Sequence, residues 1–244
     1  MFSLVKRAIK RIGIVALTPL VHLLRYVKTN APSPPAAQNL FNVLWNRAAE
    51  SSADYVERHI SSAMVFNHKE TLWDYALTKV HYEGLFAEFG VYSGNSINHF
   101  ARAIGRHGKI IYGFDSFEGL KEDWPGTQTI KGALTLEGKL PNVKENVQLV
   151  KGWFDVTVPE FLNEHQERFS FVHFDADTFQ STLLLLDLLR KRIAANTILI
   201  FDEYLGFPNW ENGEYRAWQE FVGKNNIRYE YLAFGRQQAA IQIL

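Results

Sequence analysis

The chain has 244 residues, 47% hydrophobic and 21% charged, enough to build one large domain with a sizeable core. Lys+Arg and Asp+Glu balance at 26 each, so no overall charge recruits nucleic acid or another polyanion. Cysteine is absent, which excludes disulfides, thiolate metal sites and a cysteine nucleophile, and leaves oxygen and imidazole as the metal donors.

The N-terminal stretch carries Lys6, Arg7, Lys10, Arg11, Arg25 and Lys28 with no acid among them. Its apolar run from Ile12 to Leu24, broken by Pro19 and His22, is shorter than the ~20 residues of a spanning helix. Arg25, Tyr26 and Lys28 stand where a signal peptide would need small cleavage-site residues. Two readings of residues 1–28 stay open: a basic amphipathic helix for a membrane surface or partner, and a helix packed on its own domain. Homo-oligomerisation is compatible with either, and the expected location is cytoplasmic or peripheral at a membrane. TNAPSPPAAQN, residues 29–39, marks a linker. The expected division is therefore 1–39, a basic segment with linker, and 40–244, the folded domain.

Helical spacing covers 40–64 and 69–81. The period then shortens. LFAEF (85–89), KIIYGF (109–114), NVQLV (146–150), FSFVHF (169–174) and TILIF (197–201) have strand length. Helix-like segments at 96–104, 158–168, with Pro159 in a first turn, and 178–193 alternate with them. That alternation predicts a parallel sheet covered on both faces. After a helix at 214–222, IRYEYLAF and QAAIQIL are separated by three residues, which allows only an antiparallel hairpin. The predicted fold is α/β: a Rossmann-like, doubly wound, mostly parallel sheet of seven strands with an antiparallel C-terminal hairpin and N-terminal helices.

EFGVYSGNS (88–96) follows the first of these strands and opens a helix; its glycines permit a sharp turn and close approach of a ligand. The spacing is G-x-x-x-G, not the dinucleotide fingerprint G-x-G-x-x-G. Asp115 ends the next strand about twenty residues on, placed to accept ribose hydroxyls, or else to form a cap or turn. Asp175 ends the fourth strand, and Asp202 with Glu203 ends the fifth. Parallel strands lie ~4.8 Å apart, so these acids converge, and a hard divalent cation such as Mg2+ relieves their repulsion. Asp177 and Gln180, heading an apolar run, have the pattern of a capping box, so Asp177 is expected to cap the helix, an indirect role behind the metal staying open. His173, two residues inside a strand, is expected to be a core histidine.

EFGVYSGNS, YGFDSFEGL, HFDADTFQST and LIFDEY together resemble the class I S-adenosylmethionine-dependent methyltransferases, and more narrowly the macrocin O-methyltransferase family. That family methylates sugar hydroxyls of natural products with magnesium. The resemblance implies S-adenosyl-L-methionine and Mg2+ as cofactors and a small glycosyl or otherwise polyhydroxylated acceptor. It places Glu88 and Gly90 at the methionine part, with Tyr92, Ser93, Gly94 and Asn95 lining the loop. Asp115, Ser116, Phe117 and Glu118 would hold the ribose and neighbouring groups, Phe154 and Asp155 the adenine. SAMVFNHKETLW (62–73) resembles the stretch that brings Ala63 and Met64 to the methionine end. Asp175, Asp202 and Glu203 match its metal ligands, Asp175 and Glu203 being the catalytic carboxylates, although the family usually has Asp-Asp where this chain has Asp202-Glu203. The long loop 118–144 is expected to act as a lid, and 204–216 to shape the acceptor pocket. The alternatives are a nicotinamide-dependent oxidoreductase, which lacks its third glycine here, and a non-catalytic scaffold of the same fold.

Overall fold

The computed structural model describes residues 39–244, so the basic segment and nearly all of the linker lie outside the described residues. The chain divides into two compact units, 1–43 and 44–244. Of the first, only the opening turn of helix α1 (Leu40–His59) is described, with the Asn39 side chain accepting the Phe41 N–H at 3.0 Å. The second unit holds the rest of α1 and everything below.

Its elements follow in order: β1 (Met64–Val65), α2 (Lys69–Leu77), β2 (Leu85–Phe89), α3 (Asn95–Gly105), β3 (Ile111–Asp115), β4 (Val147–Lys151), α4 (Phe154–Glu164), β5 (Phe169–Phe174), α5 (Phe179–Leu189) and β6 (Ile198–Phe201). A short 3-10 turn at Trp210–Asn212, α6 (Glu214–Asn225), β7 (Tyr229–Gly235) and β8 (Gln238–Ile243) complete it. The sheet has eight strands in the order β1-β7-β8-β6-β5-β2-β3-β4. Seven are the expected strands; the eighth, β1, is a two-residue edge strand lying parallel to β7. β8 is antiparallel to both of its neighbours, β6 and β7, so it is the one reversed strand of the sheet.

Strands β2, β5 and β6 are buried at every residue, which is why their sequences show no polar alternation. Successive side chains serve opposite faces. Ala87, Phe89, Val172, Phe174, Leu199 and Phe201 pack under α4, α5 and α6, whereas Phe86, Phe171, Ile198 and Ile200 pack under α2 and α3. Each fully buried Phe contributes about 1.5–3 kcal/mol through area removed from water.

Helix α4 corrects one expected boundary: it starts at Phe154, not 158, and Pro159 lies inside it. The cause is Gly152, whose φ of 144° turns β4 directly into the helix. There Pro159 removes one helix hydrogen bond, and its ring crowds the carbonyl of Asp155 one turn earlier.

Candidate active site

Four strands end on one rung. Phe114, Phe89, Phe174 and Phe201 are register partners across β3, β2, β5 and β6. Their ring centroids stand 4.8, 6.0 and 4.9 Å apart in that order, each pair stacked. The aromatic row levels the strand ends, so the next residues, Asp115, Gly90, Asp175 and Asp202, emerge together. They do so at the C-terminal edge of a parallel sheet, where such folds take ligands.

The glycine loop between β2 and α3 is built around close approach. Gly90, at φ 93°, packs so tightly on the carbonyl of Asp175 that a Cβ would overlap it. Asp115 braces the loop from the other side: one carboxylate oxygen accepts the N–H groups of Val91 (2.9 Å) and Tyr92 (2.8 Å), the other that of Phe117 (2.7 Å). A carboxylate offers about four acceptor positions, so the expected ribose acid retains about one for a ligand. Holding Tyr92 (φ 45°) and Phe117 (φ 58°) in left-handed conformations is part of its role.

A cavity of about 320 Å3 opens at this edge. Gly90, Tyr92, Asp115 and Ser116 form one wall, Gly152, Trp153, Phe154 and Asp155 a second, and Asp175, Asp177 and Glu203 the floor. Of the other residues expected at the cofactor, Glu88 is fully buried behind the loop, accepting from Ser96 Oγ at 2.9 Å, and Phe117 is core. Ser93 and Asn95 bond to each other at 3.1 Å, Gly94 (φ 83°) starts α3, and Glu118 is exposed, its N–H on Ser116 Oγ. Ala63 and Met64 belong to the β1 edge and do not line the cavity.

Trp153, which is not among the residues expected at the cofactor, also lines the cavity, with Lys121 Nζ 5.1 Å above its ring. Lys121 also pairs with Asp155 at 3.0 Å, holding that exposed carboxyl below its usual range through hydrogen bond and charge. The loop expected as a lid is pinned. Asn209 Nδ2 donates to the Pro125 carbonyl at 3.2 Å, Trp124 meets Phe207 edge-on at 6.1 Å, and Gly126 leaves no room for a side chain against Pro208. Loop 118–144 thus forms a roof held in place by segment 204–216, none of whose residues lines the cavity.

Under the floor lies a chain of buried ionisable groups. His173, fully buried, sets Nδ1 3.2 Å from Glu88 and Nε2 3.4 Å from Asp202. Burial pushes its pKa down, but hydrogen bonds and charges from Asp202 and Glu88 outweigh this and raise it to about 10. Asp202 also takes a short hydrogen bond from Gln238 on β8. Burial raises the Asp202 carboxyl, the His173 contact more than offsets it, and the net direction is down. Burial, then the charge of Asp202, pushes Asp175 and Glu203 well above the carboxylate range. Burial also raises Asp177 to about 7 and Glu214 to about 8. Carboxylates crowded this way favour a cation.

The capping expectation for Asp177 is overturned. Thr178 is the N-cap of α5, its hydroxyl accepting from Ser181 N, while Asp177 sits one residue earlier at φ 63° and faces the cavity. In sequence D-T-F-Q offers two candidate caps one residue apart, and Thr178 has the extended backbone a cap requires.

The sheet order with its single reversed strand and the ligand crevice beyond the aromatic row define a class I, Rossmann-like methyltransferase fold. Residues 87–204 match a family described as a methyltransferase domain. Similar solved structures include the calicheamicin methyltransferase CalS11, 21% identical, covering 88% of this chain and 96% of its own at a TM-score of 0.57. The apo form of CalS11, described as a TDP-rhamnose 3'-O-methyltransferase, is 23% identical over 92% of this chain and 93% of its own, with TM-score 0.52. An O-methyltransferase from Bacillus cereus, solved in complex with SAH, is 14% identical over 90% and 96%, with TM-score 0.50. No curated protein matches the chain. No helix among the described residues is long and apolar enough to cross a membrane.

Proposed function

We propose that this protein is an S-adenosylmethionine-dependent O-methyltransferase that methylates a hydroxyl of a sugar or other polyhydroxylated small molecule with the help of a divalent cation. The observation that carries the reading is that one cavity holds both the glycine loop with its ribose acid and the carboxylates Asp175 and Glu203. The action of CalS11 on TDP-rhamnose lends support to a glycosyl acceptor.

S-adenosylmethionine supplies the electrophilic methyl group. Gly90 and the Asp115-braced loop leave room for its methionine and ribose parts, and Trp153 with Phe154 offers apolar faces to the adenine. The floor fits a hard cation: its donors are oxygens, and Glu203 Oε2 is buried without a partner. Asp175 and Glu203, with Asp202 adjoining, are the residues to hold it. A cation there would lower the pKa of the acceptor hydroxyl. The roof of Trp124 and Leu134 excludes water from that hydroxyl and fixes its approach, so that oxygen, methyl and sulfur come into line.

Calorimetry with S-adenosylhomocysteine and with NAD, each with and without Mg2+, tests the reading. Binding of the first and not the second is expected. Failure to bind S-adenosylhomocysteine defeats it; binding without a Mg2+ effect defeats only the cation's part.

A further inference from the structure

We propose that the divalent cation is held by Asp175, Asp177 and Glu203, with Asp202 kept out of the ligand set by partners of its own. The inference rests on the cation reading above and concerns which carboxylates of this chain serve it.

Two groups of three possible ligands converge here, and they share only Asp175. In one, single oxygens of Asp175, Asp177 and Glu203 lie within 4.8 Å of one another; in the other, His173 and Asp202 join Asp175 within the same limit. An ion with ~2.1 Å bonds spreads its oxygens ~3–4 Å apart, so either group closes on an ion with small side-chain shifts.

The second group is already engaged. Glu88 and Asp202 flank His173, and Gln238 donates to the same Asp202 oxygen that faces the imidazole. A cation there would have to displace a hydrogen bond and an ion pair. Asp202 is also absent from the cavity wall, whereas Asp175, Asp177 and Glu203 all line it.

In the first group, Asp177 and Glu203 keep carboxylate oxygens without a partner. Asp177 is only 8% exposed, and among the described residues its carboxylate accepts no hydrogen bond. Glu203 Oε2 has no exposure and no partner either. Buried carboxylate oxygens without donors are costly, and polar atoms of this kind are rare unless something absent from the chain itself satisfies them. Capping does not account for Asp177, because Thr178 performs it. The extra methylene of Glu203 over an aspartate lets its carboxylate reach past Asp202 to the side of Asp177. Three oxygen donors and no imidazole select a hard ion, Mg2+ or Mn2+, over the metals that favour nitrogen.

The test is titration calorimetry of Mn2+ and of Mg2+ into the full chain stripped with a chelator, for the wild type, Asp177→Asn and Asp202→Asn. Asparagine accepts the left-handed backbone of position 177 and removes a negative charge from a crowded site, so the fold should hold. Circular dichroism and the metal-free affinity for S-adenosylhomocysteine, expected within about threefold of the wild type, check this. Asp177→Asn should weaken Mn2+ by about tenfold or more, and Asp202→Asn by clearly less. Wild-type cation affinity in Asp177→Asn, the result expected of a carboxylate acting only as a proton acceptor or a strut, overturns the inference. So does a larger loss in Asp202→Asn. A wild-type chain that binds neither ion defeats the cation reading as a whole, an outcome distinct from both.

Discussion

Glu214, fully buried in the first turn of α6, accepts the backbone N–H of Glu203 at 3.1 Å and the Thr182 hydroxyl at 3.2 Å. The turn after β6 is thereby tied to two helices, and Glu203 is set by a residue eleven positions later in the chain. Glu214→Ala leaves two donors, the Glu203 N–H and the Thr182 hydroxyl, without their acceptor and should cost about 1–3 kcal/mol. It should also weaken cation binding more than binding of S-adenosylhomocysteine. Glu214→Gln keeps an acceptor and should restore both, read by thermal denaturation and calorimetry.

The metal-free protein should lose stability steadily as pH rises. Asp177 goes from 3.8 to about 7 and Glu214 from 4.5 to about 8, burial being the main cause in each. Across those windows the folded chain keeps protons that the unfolded chain has released, so stability falls with rising pH. His173, raised from 6.5 to about 10, adds stability below 6.5 that disappears as pH climbs through 10. All three act in one direction. Melting in chelator should therefore show a midpoint that declines from about pH 5 to about pH 9, with Mg2+ reducing the decline. A midpoint that climbs over that range would contradict the placement of these groups.

Gly90→Ala should be among the most damaging single changes. A methyl group there meets the Asp175 carbonyl, and alanine at φ 93° is strained whatever the space. A loss of about 2 kcal/mol or more is expected. Because the clash falls on the strand end that carries Asp175, S-adenosylhomocysteine and Mn2+ affinities should fall together.

Asp115→Ala leaves the backbone N–H groups of Val91, Tyr92 and Phe117 without their acceptor and removes the position proposed for a ribose hydroxyl. Calorimetry should show S-adenosylhomocysteine binding weakened at least a hundredfold, with stability lower by about 2–3 kcal/mol. Unchanged stability would mean that the loop does not depend on this brace.

Much of the fold was legible because each strand carries a compact apolar run and each helix a 3.6-residue period. Even the reversed tail strand followed from a three-residue connection. The strand ends were legible too, since Phe followed by Asp or Gly recurs at Phe89, Phe114, Phe174 and Phe201. What sequence could not carry was direction across space. Asp202 and Asp177 both follow strands, and His173 together with Gln238, 36 residues beyond Asp202, draws one of them aside. Trp153 carries no signal of its place in the cavity, because adjacency to a strand says nothing about which side of a turn an aromatic occupies. Pinning of the roof to Pro208 and Asn209 depends on an encounter between two loops with no shared pattern.

The position of β8 bears on how the chain is made. β6, which ends on Asp202 and precedes Glu203, has its outer edge covered only by β8, residues 238–243. During synthesis that edge, buried and apolar throughout in the finished fold, stays open while some forty further residues are added, an exposed template for pairing with another chain. The same late strand delivers Gln238 to Asp202. Closing the aggregation-prone edge and giving Asp202 its Gln238 partner are therefore a single event, late in the making of the chain.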